Sequence, residues 1–176
     1  MSVTKWVLDP AHTEVTFKVR HLMITNVTGS FKNFSSEAES ADDDFSSAKV
    51  IFTIETASVA TDNEQRDAHL KSDDFFNAEK YPEIKFESTG LKRKKDNEYE
   101  LQGNLTIRDV TKIVKLDVEA GGIVVDAYGQ TKAGFSVSGK INRKDFGLNW
   151  SAVTEAGGIV VSDEVKMMVE AQYIKQ

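Results

Sequence analysis

Apolar and polar residues alternate along much of this chain. In Val15-Thr16-Phe17-Lys18-Val19-Arg20-His21 the odd positions are apolar as far as His21 and the even ones polar, as in a strand with one buried face. The alternation recurs at Val50, Phe52 and Ile54, at Ile84 and Phe86, and at Leu101, Gly103, Leu105 and Ile107. It continues at Val114, Leu116 and Val118, at Ala133, Phe135, Val137, Gly139 and Ile141, and at Val165, Met167 and Val169. With Val27 to Phe34 this predicts about eight strands, spaced as in β-sandwiches or barrels. Most gaps are too short for the helix that a parallel crossover needs, so the strands are expected to pair antiparallel. Lys92-Arg93-Lys94-Lys95-Asp96-Asn97 reads as a polar hairpin loop, Arg108-Asp109-Val110-Thr111 as a tight turn, and Asp42-Asp43-Asp44 as a solvated loop.

One stretch breaks the β pattern. Thr61-Asp62-Asn63-Glu64 has capping-box spacing, which predicts a helix from about Asp62 to Lys71. Ser72-Asp73-Asp74 then caps a shorter turn carrying Phe75 and Phe76, and Tyr81-Pro82 ends the excursion. Apolar Leu70, Phe75 and Phe76 need cover, so these short helices are expected to plug one end of the β structure. Elsewhere, Glu119-Ala120-Gly121-Gly122-Ile123-Val124-Val125 returns as residues 155–161. Two copies do not make a solenoid, and paired glycines before a β-branched triplet read as a turn feeding a strand.

Length and composition narrow the function classes. A chain of 176 residues is expected to form one domain, 1–176, with a substantial core. A net charge of −6 repels a phosphate backbone, so no nucleic-acid partner is expected. The absence of cysteine removes thiolate nucleophiles and cysteine-based metal sites. His12, His21 and His69 lack the spacing that sets two imidazoles on one face, so neither metal nor cofactor is expected. Asp145-Phe146-Gly147 matches a kinase tripeptide without the other kinase motifs, and neither a nucleophile elbow nor a phosphate-binding loop is present. No catalytic residue is nominated. The N-terminus lacks the apolar core of a secretory signal, and no apolar run nears the roughly 20 residues of a membrane span; the expected location is cytoplasmic.

If the strands close on one another, Phe17, Phe31, Phe52, Phe86 and Phe135 all point inward. An eight-stranded barrel has room for packed side chains or for one small ligand, and periodicity leaves both open.

Several segments, in order, resemble the YceI-like family of polyisoprenoid-binding proteins. They begin with Trp6-Val7-Leu8-Asp9-Pro10-Ala11-His12-Thr13-Glu14-Val15-Thr16-Phe17 and Val27-Thr28-Gly29-Ser30-Phe31. The set is strongest at Thr61-Asp62 with Arg66-Asp67-Ala68-His69-Leu70, followed by Asp74-Phe75-Phe76 and Tyr81-Pro82-Glu83-Ile84-Lys85-Phe86. Leu105-Thr106-Ile107 with Val110-Thr111-Lys112, Arg143-Lys144-Asp145-Phe146-Gly147, and the stretch from Gly157 to Val165 complete it. Asp109 stands where the family commonly has glycine, a change that turn geometry tolerates.

The resemblance implies a mainly all-β fold, an extended eight-stranded antiparallel lipocalin-like β-barrel with short helices capping one end. It also implies an internal apolar channel for a long isoprenoid or other fatty chain, with no enzymatic step. The wall candidates are Phe17, Val19, Phe31, Phe52, Ile54, Phe86, Leu105, Ile107, Leu116, Phe135, Val137, Met167 and Val169. The mouth or cap candidates are His21, Arg66, Leu70, Phe75 and Phe76. Lipid exchange would involve transient membrane contact, and an edge strand could support a homodimer. Two competing expectations remain: a quinone-linked redox or stress-response accessory using the same cavity, with His21 as its polar group, and a packed β-domain working through its surface.

Overall fold

The alternating segments become strands because a period of two presents one apolar face to a shared interior. A computed structural model describes residues 3–41, 44–150 and 161–176. Its strands are β1 (Val3–Leu8), β2 (Glu14–His21), β3 (Thr25–Phe31), β4 (Phe34–Ala41), β5 (Asp44–Glu55), β6 (Val59–Ala60), β7 (Glu83–Lys95), β8 (Glu98–Ile107), β9 (Val110–Val125), β10 (Thr131–Asn142) and β11 (Val161–Lys175), with one α-helix, α1 (Glu64–Lys71). Every strand pairing among the described residues is antiparallel, as the short connections require.

Six of these strands are halves of longer ones. β1 and β2 bend about a 3₁₀ turn at Pro10–His12 and lie end to end along β11, with Leu8 opposite Tyr173 and Val15 opposite Val169. β3 and β4 bend at residues 32–33, while β5 and β6 bend at a second 3₁₀ turn, Thr56–Ser58. Counting each bent pair as one stave, the sheet is an eight-stranded antiparallel barrel closed where β1 meets β11.

β1 and β4 were not among the predicted strands. Outward Val7 hides the alternation in β1, whereas in β4 the inward positions fall to Phe34, Ser36, Ala38 and Ser40, three of them small. Ser40 Oγ accepts from Trp6 Nε1 at 3.0 Å, and Ser36 Oγ donates to the Ile51 carbonyl at 2.7 Å. Its one hydrogen thus committed, Ser36 accepts from the Tyr173 hydroxyl, also at 2.7 Å.

Three local expectations are corrected. The helix starts at Glu64 and is capped by Asn63, whose side chain accepts from Arg66 N at 2.9 Å. Thr61 instead donates its N–H and hydroxyl to Asp67, and Asp62 takes a left-handed φ of 61°. The 92–97 segment is not a loop: β7 continues through Lys95, and only Asp96-Asn97 turn, Asp96 with φ 47°. Arg93, Lys94 and Lys95 are therefore strand residues, and Lys94 Nζ pairs with Asp117 at 2.8 Å. Gly121-Gly122 does not form a turn but a bulge inside β9, with Gly134 opposite Gly122 and Phe135 opposite Ala120. The second copy of that repeat lies outside the described residues up to residue 160, as do Asp42 and Asp43. The turn at Arg108-Asp109 is as expected, its left-handed φ of 55° falling on Arg108 and not on Asp109.

Candidate functional site

The barrel interior is hollow. A cavity of about 440 Å³ runs along it, within the roughly 300–1,000 Å³ typical of small-molecule sites. All thirteen wall candidates and all five mouth candidates contribute to its lining. The floor, at the end carrying the chain termini, is a chain of rings. Trp6 lies tilted against Phe45 at 5.5 Å between centroids, Phe45 meets Phe135 edge-on at 5.0 Å, and Phe135 meets Tyr173 at 6.0 Å. Trp6 is only 1% exposed. Burial pushes the Tyr173 phenol up to about 12. The floor is thus apolar, with its few polar atoms paired to one another.

Two glycines let aromatic rings lie flat on the inner wall. A Cβ on Gly29 would come within 2.7 Å of two Phe17 ring carbons and nearer still to a third. One on Gly103 would sit 2.6 Å from the Glu87 carbonyl oxygen and 2.7 Å from a Phe86 ring carbon. Each ring fills the space its glycine vacates, leaving the bore open.

At the opposite end, α1 and the turns after it cover the mouth. Phe75 is buried, while Leu70 and Phe76 are partly buried and pack on the core, Phe76 meeting Phe31 at 5.8 Å. Among the described residues Arg66 pairs with no carboxylate. Its Nε donates to Thr61 Oγ1 at 2.8 Å and its Nη2 to the Thr61 carbonyl at 2.6 Å, pinning the segment that enters the helix. His69 Nε2 bonds Asp74 at 2.8 Å, and its ring stands edge-on to Phe75 and Trp150 at 5.1 and 4.9 Å. His21, expected on the inward face, ends its strand exposed at the rim, because β2 grows progressively more exposed from Val15 outward. Asp9 and His12 lie outside the cavity: Asp9 caps the 3₁₀ turn through Ala11 N at 3.1 Å and bonds His12 at 2.8 Å and Lys132 at 3.2 Å.

Sequence reading missed Arg143, which is 3% exposed and lines the cavity. Its guanidinium donates to the carbonyls of Leu148 at 2.7 Å, Trp150 at 2.6 Å and Ser162 at 2.9 Å, tying the segment after β10 to the start of β11. Burial lowers its pKa, and the Asp163 carboxylate at 3.7 Å opposes that shift. In a run reading Arg-Lys-Asp nothing marks one cation as buried. Trp6, Phe45, Tyr99 and Trp150 were missed as well, although Trp6 belongs to the opening motif. Among the described residues every buried side-chain nitrogen or oxygen has a hydrogen-bond partner, so the wall offers hydrocarbon to an occupant.

The YceI-like domain model matches residues 6–173. The chain belongs to the YceI-like family. A UPF0312 protein of Staphylococcus epidermidis is 37% identical over 97% of this chain and 98% of its own length. The crystal structure of a Campylobacter jejuni YceI protein, 37% identical, covers 89% of this chain and 90% of that one with a TM-score of 0.74. Two distant structures share the fold: Burkholderia cenocepacia BcnA, at 22% identity and TM-score 0.82 over 94% of this chain and 98% of that one, and a polyisoprenoid binding domain from Saccharophagus degradans, at 16% and 0.71 over 97% and 98%. The family motifs now have physical roles. Asp9-Pro10 forms the bend in the first stave, the Arg66–Leu70 segment holds the cap, and Arg143 anchors the mouth.

Proposed function

We propose that the barrel binds and carries a long-chain apolar lipid, an isoprenoid, isoprenoid quinone or fatty-acid derivative, without transforming it. The observation that carries this reading is the cavity of about 440 Å³ lined by Phe17, Phe52, Phe86 and Phe135, whose buried side-chain polar atoms, among the described residues, are satisfied within the protein. The name of the Saccharophagus domain, which has the same fold, accords with it.

Burying a methylene gains about 0.8 kcal/mol relative to water, but a lipid tail in a bilayer already has that gain. Retention must therefore come from close packing on the inner rings and from head-group contacts at the rim, where Arg20 and His21 stand. Such a balance suits carriage with exchange at membranes rather than trapping.

Native mass spectrometry of protein purified without detergent, followed by solvent extraction, tests the proposal. A bound lipid of defined mass is expected. Repeated preparations without one, together with no uptake of an added long-chain isoprenoid alcohol, would sink it.

A further inference from the structure

The turn joining β2 to β3 is made of Leu22, Met23 and Ile24, which are 39%, 54% and 73% exposed. Leu22 and Met23 both adopt left-handed φ angles, 53° and 61°. Consecutive positive φ values are the signature of a tight hairpin turn for which Asn-Gly is the favoured pair, and side chains such as Leu and Met strain it. The turn is nonetheless held firmly: Arg20 Nη2 donates to the Met23 carbonyl at 3.1 Å and Ile24 N to the His21 carbonyl at 3.2 Å. Three apolar side chains are thus displayed to solvent on a fixed, strained loop.

Its location and charge indicate what covers it. The stem contributes Val19, Arg20, His21 and Val27 to the cavity rim, so the tip stands beside the mouth. Among the described residues, β3 has a strand partner on its outer side only at Ser30 and Phe31, so the rest of the hairpin projects beyond the closed part of the wall. Between Glu14 and Glu37 there is no acidic residue, while Lys18 and Arg20, on the strand that leads into the tip, are exposed, in a chain whose net charge is −6. An apolar tip flanked by cations is complementary to an anionic lipid surface: side chains enter the acyl boundary and ammonium and guanidinium groups meet phosphates.

We propose that the 22–24 turn docks the barrel on anionic bilayers, placing the cavity mouth at the membrane surface. Its purpose rests on the carrier reading, but its measurement does not. Flotation of the full chain with vesicles of equal parts phosphatidylcholine and phosphatidylglycerol is expected to show binding that weakens with added salt and is much poorer on phosphatidylcholine alone. Leu22→Asn with Met23→Gly relieves the strained turn, so the variant should melt no lower than the parent while its vesicle partition falls about tenfold or more. Ile24→Asp should do the same. Val124→Thr with Val125→Thr, at similarly exposed apolar positions on the far end of the barrel, should leave binding unchanged.

Equal partition of parent and hairpin variant, or equal loss in the far-end variant, overturns the proposal. So does a lipid-free dimer, seen by sedimentation, that the hairpin substitutions dissociate; the covering surface would then be a second copy of this chain. Protein that floats with vesicles yet yields no lipid on extraction refutes the carrier reading alone. Protein that yields lipid yet ignores vesicles refutes docking alone.

Discussion

Gly29 and Gly103 both lie under an aromatic ring, but alanine at the two sites should have opposite consequences. At Gly29 the three atoms nearest the added Cβ all belong to the Phe17 ring, two carbons at 2.7 Å and a third nearer. Normal carbon contact is about 3.5–4.0 Å, so the ring must swing by roughly 1 Å or more. The space it swings into is the cavity. Turning a side chain about 30° off its rotamer costs roughly 0.5–1.5 kcal/mol, and replacing glycine in extended backbone returns about 0.4–1 kcal/mol by restricting the unfolded chain. Gly29→Ala should therefore change stability by less than about 1 kcal/mol while the displaced ring narrows the bore. At Gly103 the obstacle includes the Glu87 carbonyl oxygen at 2.6 Å, which belongs to the neighbouring strand and cannot rotate away. Gly103→Ala should cost about 2–3 kcal/mol, in the overpacking range. Urea denaturation of both variants gives the energies, and native mass spectrometry gives lipid occupancy. The reasoning fails if Gly29→Ala costs more than about 2 kcal/mol with occupancy intact, since the interior would then be packed solid.

Three further outcomes are expected. Phe135→Trp, which enlarges a ring between Phe45 and Tyr173, should sharply reduce lipid recovery with stability kept within about 1 kcal/mol; a larger loss of stability with unchanged recovery contradicts an open bore. Arg143→Met orphans the carbonyls of Leu148, Trp150 and Ser162 and should cost about 3–5 kcal/mol in chemical denaturation, whereas a cost under about 1 kcal/mol would show that water replaces the guanidinium. For Tyr173 the folded pKa of about 12 exceeds the ordinary 10, so its neutral form contributes stability below pH 10 that is lost as the pH rises to 12. That is roughly 2–3 kcal/mol, absent in Tyr173→Phe, and parallel pH–stability curves for the two proteins between those limits would contradict it.

The barrel was legible because an apolar inner face imposes a period of two wherever large residues fill it, as at Phe17, Phe86 and Leu105. It was illegible where the interior is lined by Ser36, Ala38 and Ser40, since their alternation carries almost no hydrophobic contrast. The wall of the candidate site followed from the same period, and all of those residues do line the cavity. Polar roles were harder to read. His21 lies on the correct face but at the exposed outer end of β2, and Arg66 spends its donors on a backbone carbonyl and hydroxyl that no spacing rule signals. Arg143 is seen to be buried only once residues 148–150 and 161–163 close over its guanidinium, and such enclosure leaves no trace in the run itself.

The three bends, at Pro10–His12, at residues 32–33 and at Thr56–Ser58, fall on adjacent staves. The second and third are cross-linked by Lys32 N to the Ser58 carbonyl and Glu55 N to the Asn33 carbonyl, and the first lies beside them on the neighbouring stave, so the bends form one crease across this side of the tube. Above it, β2, β3 and β6 make a panel that is laddered to β11 on one flank and bordered by α1, not by another strand, on the other. Among the described residues the panel is thus laddered along one flank alone, whereas each of the five uninterrupted staves has strand partners on both sides, so the seam beside α1 is the stretch of wall that no ladder closes.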